Sequence, residues 1–125
     1  MFMGLVGSEM CIRDRIVAST LIGDINNKSA YEKLVDSMEL LHKESYLKTI
    51  ETSMRTEHRH VFKTINVPTF IMVGELDTLT PPSMSREIMK EIKESSLAII
   101  PNAGHLINIE NPKEFNQKLL EFLEQ

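Results

Sequence analysis

Residues 65–82 read INVPTFIMVGELDTLTPP, and this stretch decides the fold. After Val67-Pro68, the run Thr69 to Val73 is continuously apolar apart from its first residue and stops at Gly74. A strand with one wet face alternates apolar and polar residues; an unbroken run of this length is expected of a parallel strand buried on both faces. The turn Glu75-Leu76-Asp77 follows. Thr80 can then cap a helix whose first position is Pro81 or Pro82. Met84, Ile88 and Ile92 share one face of that helix, which is expected to end near Glu94.

The same pattern recurs downstream. Leu97 to Ile100, LAII, is a second short apolar run bounded by Pro101, and the loop Asn102-Ala103-Gly104-His105 comes next. Asn111-Pro112-Lys113-Glu114 supplies an N-cap, a proline in the first turn and a glutamate three residues after the cap, which together open a helix. Phe115, Leu119, Phe122 and Leu123 form its apolar stripe. Strand, helix, strand, helix with short connections is the order of parallel strands joined by right-handed crossovers, hence an α/β fold. Two parallel strands do not bury their own faces and edges, because independent sheets generally need three or more. The expectation is an incomplete parallel sheet flanked by helices, part of something larger.

Toward the N-terminus the signals are helical. Tyr31, Leu34, Val35, Met38 and Leu41 recur at three and four, and Tyr46, Leu47, Ile50 and Met54 repeat that spacing over a second helix at roughly 45–54. The β-branched run Ile16 to Ile22, closed by Gly23, fits either a short buried strand or the end of a helix. Residues 7–15, GSEMCIRDR, follow neither period. The chain therefore divides into a non-native or disordered leader over 1–15, a helical, lid-like region over 16–60 including the helix before the first clear strand, and the strand-helix-strand-helix unit over 61–125.

Composition narrows the function classes. Apolar residues at 42% and charged residues at 26% are the balance of a globular domain, not of a disordered chain. The formal charge of -4, with Lys and Arg scattered among Asp and Glu, leaves no basic stripe to neutralise phosphates, so no nucleic-acid partner is expected. No run approaches the ~20 apolar residues that cross a bilayer, and the first ten residues lack the basic start of a secretory signal. The single cysteine, Cys11, makes no internal disulfide, which suits a reducing, cytoplasmic setting.

In an open α/β sheet, ligands meet the chain beyond the carboxyl ends of the strands. Asp77 lies three residues after Gly74, and His105 five residues after Ile100. Neighbouring parallel strands run about 4.8 Å apart, so two loops leaving the same edge can bring these side chains together. A carboxylate on an imidazole fixes its tautomer and stabilises the imidazolium formed when it takes a proton. Gly104 is expected to let the loop turn tightly before His105, and Pro81 and Pro82 to stiffen the segment after Asp77. His58 and His60 supply only two imidazoles and no zinc-type spacing, and Ser83 and Ser85 read as capping or exposed residues at a helix start. No metal or cofactor is expected.

Together, INVPTFIMVGELDTLTPP and PNAGHLINIENPKEF closely resemble the last two strands of α/β-hydrolases, with the acid after one strand and the histidine after the next. The resemblance implies a triad in chain order nucleophile, acid, histidine, with Asp77 and His105 matching the second and third members. It also implies a Gly-x-Ser-x-Gly elbow upstream, and these 125 residues contain no such motif. The implied activity is hydrolysis of small carboxylic esters or lactones, with a small-molecule substrate as the partner; oligomeric state is not legible. The family also includes dehalogenases and epoxide hydrolases, in which an aspartate takes the nucleophile's place. The alternative is a non-catalytic, α/β-hydrolase-like ligand-binding module that keeps the acid and histidine as remnants. An independent flavodoxin-like domain would need phosphate-cradling glycine loops, and none follows either strand.

Overall fold

A computed structural model describes residues 16–125, so the leader expected over 1–15 lies outside the described residues. Residues 16–21 are helical and are labelled α1. The undecided apolar run is thus a helix end. Ala18 and Ile22 are buried together on one face, while Ser19 and Thr20 turn their hydroxyls back onto the carbonyls of Ile16 and Val17. That back-bonding gives the two hydroxyls partners within the helix.

Helix α2 (Lys28–Glu39) starts at Asn27, whose side chain accepts from the Ala30 N–H at 3.2 Å. Its Ala30, Leu34 and Val35 pack on Ala18 and Ile22, and Leu21, Tyr31, Met38, Leu106 and Ile109 close round that cluster. The core therefore joins the N-terminal helices to the segment that follows His105. Helix α3 (Lys43–Arg55) has the expected apolar spacing, yet Tyr46, Leu47, Ile50 and Met54 are exposed, Met54 by 84%. No described element packs substantially against it. A short turn, α4 (Arg59–Phe62), is tied to the next helix by the exposed ion pairs Arg59–Glu87 and Lys63–Glu91, which contribute little stability in water.

Strands β1 (Thr69–Gly74) and β2 (Ser95–Ile100) run parallel, in register from Thr69 opposite Ser95 to Gly74 opposite Ile100. Helix α5 (Pro82–Glu91) crosses between them and packs on both. After β2 come the single turn α6 (Ile107–Glu110) and then α7 (Pro112–Leu123), which lies against β2 and stacks Phe122 on Phe70 with ring centroids 5.1 Å apart. Asn111 caps α7 through the Glu114 N–H, with Pro112 at the first position. This is an α/β arrangement, a two-stranded parallel portion of a larger sheet type.

Three local expectations change. Burial on both faces of β1 is reached only at Val73 and Gly74; the earlier residues remain half-exposed, as expected where few other elements cover them. Helix α5 is preceded by Pro81 without any side-chain cap, because the Thr80 hydroxyl is turned toward Asp77 instead, and the helix ends at Glu91, with Ile92 already extended. In α7 the stripe is half-buried at Phe115, Leu119 and Phe122, and Leu123 is exposed.

Candidate active site

The sheet delivers both chosen side chains to one rim. Beyond the last register pair, the Glu75 N–H donates to the Ile100 carbonyl and the Leu76 N–H to the Ala103 carbonyl, each at 2.9 Å, so the two loops stay paired after the strands end. Gly74 is the residue that permits this. A Cβ there would fall on the carbonyl oxygens of Ala103 and Gly104.

Asp77 then turns back on itself, its N–H reaching the Gly74 carbonyl at 3.2 Å. Its side chain is buried, with the residue only 6% exposed. Oδ1 accepts from the backbone N–H groups of Leu79 and Thr80, both at 2.9 Å. Oδ2 accepts from the Thr80 hydroxyl at 2.8 Å and from His105 Nδ1 at 2.9 Å. Burial by itself would raise the carboxyl's pKa. The Thr80 N–H, the His105 ring and the Thr80 hydroxyl, with the charge available on His105, outweigh it and hold Asp77 below its ordinary value.

An ionised carboxylate can only accept, so the proton in the contact must sit on His105 Nδ1. The neutral ring then carries its lone pair on Nε2, the nitrogen a general base uses. The Thr80 oxygen lies 3.1 Å from the same Nδ1 and braces the pair from the side. The His105 side chain is 34% exposed, so the ring is reachable while its acid partner is not.

The loop bearing His105 is fixed on its other side by α1. The His105 N–H donates to the Leu21 carbonyl at 2.8 Å. The buried Glu110 carboxylate accepts from the N–H groups of Gly23, Gly104 and Leu106 at 2.7, 3.0 and 3.2 Å. Gly104 is therefore required for a reason other than a tight turn. No described glycine has positive φ, the left-handed position being taken by Asn102 at 54°, whereas a Cβ on Gly104 would meet the Gly23 Cα at 2.7 Å and the Leu21 carbonyl at 2.9 Å. Close approach of two backbones excludes a side chain there.

Thr80, Glu110 and the end of α1 are site-building parts that sequence reasoning missed. Thr80 had a readable signal, since an Asp followed by Thr three residues later is a side-chain-to-backbone turn pattern. Glu110 offered only a hint, a lone acid directly after the apolar Ile107 and Ile109 register. His58 and His60 lie at α4, exposed, and Ser83 and Ser85 in α5, none of them in hydrogen-bond contact with the pair. Among the described residues, no group of three or more His, Cys, Asp or Glu side chains could hold a metal ion, and no helix is long and apolar enough to cross a membrane.

This arrangement of strands, crossover helix and loops is the α/β-hydrolase fold. It superposes on the crystal structure of a bromoperoxidase from Bacillus anthracis with a TM-score of 0.81, covering 92% of this chain and 44% of that one at 24% identity. Residues 42–116 match the family described as Serine hydrolase (FSH1), and the chain belongs to that family. It is also 34% identical over 61 residues to the proline iminopeptidase PfmaB of Pestalotiopsis fici, covering 49% of this chain and 22% of that protein. A pimeloyl-[acyl-carrier protein] methyl ester esterase of Neisseria meningitidis is 27% identical over 75 residues, 60% of this chain and 29% of that protein. The chain thus spans less than a third of the length of these curated relatives.

Proposed function

We propose that this chain supplies the acid, Asp77, and the base, His105, of a nucleophile-histidine-acid triad, and that the protein it serves hydrolyses small carboxylic esters or lactones. The carrying observation is the 2.9 Å contact between His105 Nδ1 and the buried Asp77 carboxylate. Similarity to an enzyme described as a methyl ester esterase supports the substrate class.

In this reading His105 Nε2 takes the hydroxyl proton of the nucleophile as its oxygen attacks the ester carbonyl. The imidazolium so formed faces the Asp77 charge. It returns the proton to the departing alkoxide, releasing the alcohol and leaving an acyl-enzyme. Water, deprotonated by the same nitrogen, then releases the acid and restores the nucleophile. No metal or cofactor is called on, and a cytoplasmic setting suits a chain whose single cysteine is Cys11. No Gly-x-Ser-x-Gly elbow occurs in these 125 residues, so the proposed nucleophile comes from sequence outside them.

The test is to read the coding sequence contiguous with this chain, express the longer product and assay a short-chain ester with and without His105→Ala. A nucleophilic residue at the elbow, with hydrolysis abolished by the substitution, is expected. An inert residue there, or hydrolysis indifferent to His105, would instead favour a ligand-binding module. The isolated chain is expected to act near background, since it supplies neither the attacking group nor a complete set of oxyanion donors.

A further inference from the structure

Glu110 is a buried carboxylate, 8% exposed, that forms no ion pair with a basic side chain among the described residues and accepts three backbone N–H donors. Two of those donors, Gly104 and Leu106, flank His105 on either side; the third, Gly23, ends the segment whose Leu21 carbonyl receives the His105 N–H. Four hydrogen bonds therefore gather the histidine backbone against α1. The Gly23 donor lies 87 residues from Glu110 along the chain, yet meets the same side chain as the donors beside His105. A single carboxylate has the lone-pair sites to accept all three, and its charge strengthens each. A neutral amide in its place would present an NH2 group to at least one of those donors.

We infer that Glu110 is a positioning residue for His105: by clamping Gly104 and Leu106 to Gly23 it sets where the imidazole stands relative to Asp77. The inference rests on the reading of His105 as the base. Its test reads ring placement and amide protection, not hydrolysis, so its failure is distinguishable from failure of that reading.

The experiment compares the wild-type full chain with Glu110→Gln and Glu110→Asp by amide hydrogen exchange and by 15N NMR of the imidazole. In the wild type, the Gly23, Gly104 and Leu106 amides are expected to be protected and the His105 Nδ1–H signal to be resolved. Glu110→Gln is expected to lower protection at those three amides by about ten- to a hundredfold, the weight of hydrogen bonds to a charged acceptor. It should also broaden or move the Nδ1–H signal while β1 and β2 amides keep their protection. Glu110→Asp, which retains the charge, is expected to restore part of both.

Wild-type amides at 104 and 106 that exchange as fast as those of the exposed helix α3 would overturn the inference. So would a Glu110→Gln chain that loses loop protection with the ring signal unchanged, which is the mark of a purely structural acid. Should Glu110→Gln unfold the strands as well, Glu110→Asp carries the same comparison. A chain unfolded by that one-methylene change too would replace the local clamp with a role in the whole fold.

Discussion

His105 Nδ1 and Asp77 Oδ2 meet at 2.9 Å although 28 residues, an entire helix and a strand separate them along the chain. The contact is made on loops that remain hydrogen-bonded to each other past the ends of β1 and β2. The acid is buried and the ring is not, so the pair presents one reachable nitrogen backed by a fixed negative charge.

Replacing the acid should change the tautomer before it changes the fold. Asp77→Asn offers His105 Nδ1 an amide donor in place of an acceptor, and the ring proton is expected to move to Nε2. The 15N shifts of the two ring nitrogens report this directly. In a longer protein that carries the chain, kcat for a short-chain ester should fall by about four orders of magnitude, the usual scale for a mis-set catalytic tautomer.

Acid should remove what Asp77 contributes to stability. Its pKa in the fold is depressed, so the unfolded chain binds its proton more readily. The contribution is fully present above the unfolded carboxylate range and disappears as pH falls through the folded value. The melting temperature of the wild type minus that of Asp77→Asn is expected to be level near neutral pH and to shrink on acidification; a difference that grew toward low pH would contradict the assignment.

Thr80→Val deletes the hydroxyl that donates to Asp77 Oδ2 and leaves the two backbone donors on Oδ1 in place. The expected cost is about 1 kcal/mol. A 13C titration of the Asp77 carboxyl should show its pKa rising toward the ordinary carboxylate range, and no movement would mean that the hydroxyl is not a significant partner.

Gly74→Ala tests the close approach of the two loops. The added methyl falls on the Ala103 and Gly104 carbonyl oxygens, backbone atoms that cannot rotate away. A loss of about 1 to 3 kcal/mol is expected from overpacking of this kind, read as a lowered denaturant midpoint.

The isolated chain should self-associate. Leu40, Leu47, Met54 and Val67 are exposed, and the sheet of the described residues has only two strands, each with an outer edge. Such edges and apolar surfaces template pairing with other chains. Light scattering after size exclusion is expected to give a mass above that of one chain; a monomer with a sharp cooperative melt would count against this.

Much of this architecture was legible in local patterns. The apolar runs ending at Gly74 and Ile100 marked both strands, and Asn111-Pro112 marked the start of α7, because strand burial and helix capping depend on residues within a few positions. The same reasoning pointed to Asp77 and His105, which follow strand ends directly. It went astray at Thr80, whose hydroxyl could serve the helix after it or the acid before it, and which donates to the Asp77 carboxylate. It was silent at Ile16 to Ile22, where apolar periodicity over so short a run fits either secondary structure.

Residue order alone was thus enough to establish the α/β-hydrolase character of this chain and to single out Asp77 and His105 as two loop residues that meet, since periodicity, capping and turn chemistry act over short distances. The clamp on His105 could emerge only in three dimensions. Gly23 and Glu110 meet across 87 residues, and no local pattern encodes a hydrogen bond whose partners are brought together by the packing of α1 and α2 against the segment after β2.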